Sequence, residues 1–128
     1  MTPWLSDAWF ESAAAEGAAV RGPVSLTGSV VVAVTGGGDG DVSAHAEYVE
    51  GRLVRCGVGP TTPADVTLTL TDTDARAVLS GGLDPSVAFM QGRMKVVGAM
   101  APVIDLLALA GTEDARATMA RIAGQTTF

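Results

Sequence analysis

Hydrophobic and polar positions repeat with two different periods along this chain, and the switches between them mark its elements. Leu5, Ala8, Trp9 and Ala13 share one face at helical spacing, which predicts a first helix over residues 4–16. Pro3 precedes it, Ser6 and Asp7 lie near its start and Gly17 follows it. Trp4 and Trp9 are expected to anchor that face. The period then drops to two. Val24, Leu26, Gly28, Val30, Val32 and Val34 alternate with Ser25, Thr27, Ser29, Val31, Ala33 and Thr35, the signature of a strand with one buried face. Gly36–Asp41 ends it as a turn. A second strand runs over about 42–49, a tight turn at Glu50-Gly51-Arg52 follows, and a third strand over about 53–58 is broken by Pro60 and Pro63.

A fourth strand, Ala64–Thr71, turns Val66, Leu68 and Leu70 to one side and Asp65, Thr67, Thr69 and Thr71 to the other. Thr71 or Asp72 caps the helix that follows, whose buried stripe is Ala75, Val78 and Leu79 and whose stop is Gly81-Gly82. Asp84-Pro85 starts a short helix closed by Gly92. A fifth strand, Arg93–Val97, points Met94 and Val96 one way and Arg93 and Lys95 the other. Pro102 opens a helix that is apolar nearly all round, so both its sides are expected to be covered; Gly111 ends it. Thr112 caps a last helix with the stripe Ala115, Met119 and Ile122. The first three connections between strands are short enough for hairpins. The sum is an α+β fold: a five-stranded, mostly antiparallel sheet with helices packed on one face. Residues 1–128 read as a single domain, without internal repeats or a long linker.

Composition narrows what such a domain does. Hydrophobic residues make up 48% of the chain and charged residues only 17%, enough to fill a core and still line a cavity. The net charge of −6 argues against nucleic acid, whose binding needs clustered Lys and Arg. A lone cysteine, Cys56, cannot form an intrachain disulfide, and no apolar run reaches membrane-spanning length. With no basic, apolar-cored leader in view, a cytoplasmic location is expected. The bias toward Ala, Gly and Val has a bacterial look.

Three segments together resemble the SCP2 family, the sterol carrier protein 2 or nonspecific lipid-transfer domain: Ala64–Asp72, Leu79–Pro85, and Ala88–Gly98 with its Ala-Phe-x-x-Gly-Arg-x-Lys-x-x-Gly spacing. The match is close over residues 64–100 and loose over 24–110. The resemblance implies a hydrophobic tunnel between sheet and helices that holds a sterol, fatty acid, acyl-CoA or similar lipid. The ending Gln125-Thr126-Thr127-Phe128 is not the peroxisomal address that many members carry.

Within that frame the expected ligand contacts are Val78, Phe89, Met90, Gln91, Met94, Met100, Val103, Ile104, Leu107 and Met119. Methionine is flexible and polarisable, so Met90, Met94 and Met100 suit irregular apolar ligands. Gln91 is the neutral amide of the segment and a candidate partner for a ligand hydroxyl or carboxyl. Ordinary core packing is the competing explanation for the apolar members, and a solvated position for Gln91. Arg93 and Lys95 read as a solvated strand face or as a contact for an anionic headgroup.

His45 is the only histidine and has no cysteine nearby, so neither a metal nor a cofactor is expected. As a base it would need Asp41 or Glu47 as partner. The Gly36–Gly40 run joins two strands, not a strand and a helix, and so is a hairpin turn and not a phosphate cradle. The function expected is lipid carriage or transfer, with transient membrane contact and a monomeric or homodimeric state. Two alternatives stay open: a small enzyme that isomerises or cyclises an apolar substrate, and a dimerisation module without ligand.

Overall fold

The computed structural model describes residues 2–38, 40–59 and 64–128. Asp39 of the glycine turn and the strand-breaking Pro60 and Pro63 lie outside these residues. Strands β1 (Thr2–Pro3), β2 (Gly28–Gly37), β3 (Gly40–Val49), β4 (Arg52–Val58), β5 (Val66–Thr71), β6 (Lys95–Gly98) and β7 (Thr126–Thr127) combine with helices α1 (Asp7–Gly17), α2 (Asp72–Ser80), α3 (Pro85–Met90), α4 (Met100–Ala110) and α5 (Glu113–Gly124).

The main sheet has the order β4-β3-β2-β5-β6. β2, β3 and β4 form two antiparallel hairpins. The second hairpin turns at Glu50 and Gly51, with φ of 49° and 83°, the positive pair that matches strand twist. The third connection corrects the expected hairpin: β5 crosses to the far side of β2 and pairs with it in parallel, Val30 opposite Val66 and Val34 opposite Leu70. Burial explains the crossing. The inward side chains of β5 are all buried, which needs a central position, whereas β4 exposes Arg52, Val54, Arg55 and Val58 and tolerates an edge. β6 closes the other edge antiparallel to β5.

Side-chain caps open four helices as their sequences dictate. Ser6 accepts from the Trp9 amide at 3.2 Å, Thr71 from Asp74 at 3.1 Å, Asp84 from Ser86 at 2.8 Å and Thr112 from Ala115 at 3.2 Å. Where boundaries differ from the periodicity, four have a local reason. α1 starts at Asp7, so Trp4 and Leu5 precede it, and it buries Phe10 while Ala8 is exposed. β2 starts at Gly28, because Pro23–Leu26 forms a turn that leaves Val24 exposed and Leu26 buried. β6 starts at Lys95, because the Arg93 and Met94 amides fold back to the Ala88 carbonyl around Gly92. α4 starts at Met100, with Pro102 tolerated in the first turn, where its missing amide costs nothing. β1 and β7, too short to show a period, pair in parallel and tie the two ends of the described chain together.

Every buried cluster takes its sheet residues from one face, that of Val30, Val34, Val66, Leu68 and Leu70, so the helical layer covers that face alone. Outward-facing Val31 is also buried, flanked on the central strand by His45 and Thr67. α4 departs from expectation. It buries Val103 and Leu109 but leaves Ile104 60% exposed, so among the described residues only one of its sides is covered.

Candidate functional site

Between sheet and helices lies a cavity of about 410 Å³. Its floor is the inner face of the sheet: Val32 and Val34 of β2, Ala44, Ala46 and Tyr48 of β3, Leu53 and Cys56 of β4 and Leu70 of β5. Its walls are Trp9, Phe10 and Ala13 of α1, Ala75, Val78 and Leu79 of α2, Leu106 and Leu109 of α4, and Ala115, Thr118, Met119 and Ile122 of α5. The space follows from side-chain size. The inward positions Ala44 and Ala46 face a helical layer that presents Ala13, Ala75 and Ala115, and these short side chains leave the volume between them unfilled.

Among the described residues, no Asp, Glu, Lys or Arg lines the cavity. Its polar side chains mostly send their polar atoms elsewhere. Trp4 Nε1 donates to Asp72 Oδ1 at 2.8 Å, and Asp72 is held in turn by Arg76 Nε at 2.6 Å. Trp9 Nε1 donates to Thr126 Oγ1 at 2.9 Å. Thr118 Oγ1 accepts from Arg121 Nη2 at 3.0 Å. The rings so fixed stack edge to face, Trp4 on Trp9 at 4.9 Å and Trp9 on Phe10 at 5.0 Å. Burial pushes the Tyr48 phenol up to about 12, with a smaller push from neighbouring Cys56, and burial raises the Cys56 thiol as well. Both groups therefore stay protonated and neutral near pH 7. A second, more polar hollow shares Trp4 and Leu5 with the cavity and is bounded by Gly37, Gly38, Asp72, Arg76 and Phe128.

Of the residues expected from sequence, Val78 and Met119 line the cavity. The others lie outside its lining. Met94 and Val103 are buried in the neighbouring core cluster, where Phe89 and Leu107 pack against them. Met90 is 82% exposed, and Gln91, Met100 and Ile104 are exposed too. The structure thus separates the Ala88–Met100 segment from the cavity: its apolar side chains either close the core beside β6 or face outward. The cavity lining also includes Phe10, Ala13, Ala44, Ala46, Tyr48 and Leu53, which the sequence did not single out as contacts. The signal available for three of them was the period-two run Ala44, Ala46, Tyr48, two small residues and an aromatic on one side of a strand.

His45 borders the cavity from β3, but its ring packs on the outer face against Gly57, and Nδ1 hydrogen-bonds the Gly59 carbonyl at 2.9 Å. Glu47 pairs with Arg55 at 3.7 Å and not with His45. Among the described residues no cluster of His, Cys, Asp and Glu is arranged to hold a metal, and no helix is long and apolar enough to cross a membrane.

Comparison with known proteins gives this architecture its relatives. The profile of the SCP-2 sterol transfer family matches residues 24–111. Over 43 residues, 34% of this chain, the sequence is 42% identical to sterol carrier protein 2 of Gallus gallus, of which the chain spans 8%. Among solved structures, a crystal structure of sterol carrier protein 2 superposes with a TM-score of 0.72 at 16% identity, covering 97% of this chain and 99% of that one. A conserved hypothetical protein of Thermus thermophilus, described as possibly a sterol carrier protein, gives 0.67 at 20% identity over 93% and 89%. Palmitated sterol carrier protein 2-like 2 of Aedes aegypti gives 0.66 at 20% identity over 80% and 90%. The family profile spans most of the chain, β2 to the end of α4, and the fold agrees throughout, so this chain belongs to the SCP-2 sterol transfer family.

Proposed function

We propose that residues 1–128 form one binding module that holds a lipid-like molecule in the cavity and acts as its carrier. The observation that carries this reading is a cavity of about 410 Å³ whose described lining contains no Asp, Glu, Lys or Arg. Each CH₂ group moved from water into such a lining contributes about 0.8 kcal/mol, so a long chain or fused ring system binds without a dense hydrogen-bond pattern. The palmitated Aedes aegypti relative supports an acyl chain as one occupant of this fold. The proposed contacts are Val78 and Met119, joined by Trp9, Phe10, Tyr48 and Ile122. At roughly 24 cal/mol per Å³, a dry void of about 410 Å³ costs on the order of 10 kcal/mol, comparable to a net stability of about 5–15 kcal/mol, so the protein is expected to carry lipid as purified.

Mass spectrometry of mild organic extracts, paired with thermal melting in a lipid panel, tests this. An extracted lipid, or a melting temperature raised by several degrees, is the expected result. A protein that yields no lipid and gains no melting temperature from any member of the panel would refute carriage.

The exposed Ile104 and Met100 favour a second reading, in which α4 meets another copy of the chain. Ile104→Asp then gives a folded monomer with intact lipid binding. A solution mass unchanged from a dimeric wild type would exclude that interface.

A further inference from the structure

Tyr48 stands apart from the other polar groups around the cavity. The Trp4, Trp9 and Thr118 polar atoms are engaged away from the cavity, and the His45 ring lies on the outer face. The Tyr48 side chain is mostly buried, yet its hydroxyl makes no hydrogen bond among the described residues. Nor is its oxygen sealed off, for among the described residues no fully buried side-chain nitrogen or oxygen is without a partner. A largely desolvated hydroxyl that can still be reached, and that no described residue engages, is suited to pair with one ligand atom. The neighbouring Cys56 thiol is only a weak donor and cannot fill that role.

We propose that the Tyr48 hydroxyl determines the specificity of the cavity: it hydrogen-bonds the single polar group of an otherwise apolar ligand, and it selects an uncharged alcohol, ketone or ester over a carboxylate. This deepens, and rests on, the reading of the cavity as a lipid site. The phenol both donates and accepts, so it serves a hydroxyl or a carbonyl equally. A carboxylate drawn inside would lose its hydration without meeting a cation, because no Lys or Arg among the described residues lines the cavity. Arg76, which shares Asp72 with Trp4, and Arg121, which donates to Thr118, are already committed, Arg76 to Asp72 at 2.6 Å and Arg121 to Glu16 at 3.1 Å.

Trp4 and Trp9 both line the cavity, so their fluorescence reports its filling. Titration of delipidated wild type and Tyr48→Phe with dodecanol, dodecane and dodecanoate isolates the hydroxyl. Wild type is expected to bind dodecanol about tenfold tighter than dodecane, which is about 1.4 kcal/mol. Tyr48→Phe is expected to lose that tenfold for dodecanol and nothing for dodecane. A second readout uses the only tyrosine of the chain: its near-ultraviolet absorbance shifts on adding dodecanol and not on adding dodecane. Equal dodecanol affinity in the two proteins, or tighter binding of dodecanoate than dodecanol by wild type, overturns the role of Tyr48 while leaving the lipid site standing. Uptake of none of the three probes by wild type overturns the lipid site itself.

Discussion

At the scale of single residues, Tyr48 supplies a titration that can be read alone, because the chain has no other tyrosine. Burial raises its phenol from 10.0 to about 12. A group whose folded pKa lies above its unfolded one favours the fold most while it is protonated in both states. That contribution is complete below about pH 10 and is lost as pH rises through about 12. The tyrosinate absorbance of the folded protein is therefore expected to appear near pH 12, and denaturant stability should fall more steeply between pH 10 and 12 in wild type than in Tyr48→Phe. A midpoint near 10 in the folded protein would contradict the burial that places Tyr48 at the cavity. Gly98 is a second residue with a single reason. Its φ is 121°, and a Cβ there would collide with the Asp65 carbonyl oxygen across the β5–β6 pair. Gly98→Ala is expected to cost about 2–3 kcal/mol in chemical denaturation by prising β6 from the sheet.

At the scale of elements, the cavity depends on where its walls begin. α2 enters from β5 through the Thr71 cap, and that cap sets Ala75, Val78 and Leu79 over the sheet. Thr71→Ala is expected to lower stability by about 1 kcal/mol in urea denaturation. Elements with strong local signals were legible in the sequence. The alternation in β2 and β5 and the Thr71, Asp84 and Thr112 caps placed those elements to within a few residues. Where the sequence misled, a tertiary or turn contact overrode the period. Val24 and Leu26 continue the alternation of β2 in sequence, yet the Pro23–Leu26 turn takes them out of the strand. The apolar surround of α4 reads as burial on all sides, yet Ile104 is exposed, since hydrophobicity alone does not show whether a partner is present.

For the whole molecule, the cavity is a consequence of layers that touch at their rims and stand apart over short side chains. Trp4, Trp9 and Phe10 brace one rim, while Ala13, Ala44 and Ala46 leave the interior open. Ala13→Leu fills part of that space. It is expected to stabilise the lipid-free protein by roughly 1 kcal/mol, seen as a higher melting temperature, and to weaken binding of a long-chain ligand about tenfold in a fluorescence titration. A variant that melts higher and binds as tightly as wild type would move the ligand away from α1.

By itself, the sequence determined the order of the elements, their caps and the family, because periodicity, cap chemistry and the Ala64–Gly98 segments are local properties of the chain. Its composition also left room for an apolar cavity, since a hydrophobic share of 48% supplies more apolar side chains than a core alone needs. Only the tertiary structure decided which apolar residues enclose the cavity. The parallel crossing of β5 beside β2 puts α2 over the inner face, and α1 and α5 join it around the same space. The methionine-rich segment falls beside that space, in the core and at the surface. Core and cavity use the same residue types, and what separates them is side-chain volume summed over elements far apart in sequence, a quantity that no window along the chain contains.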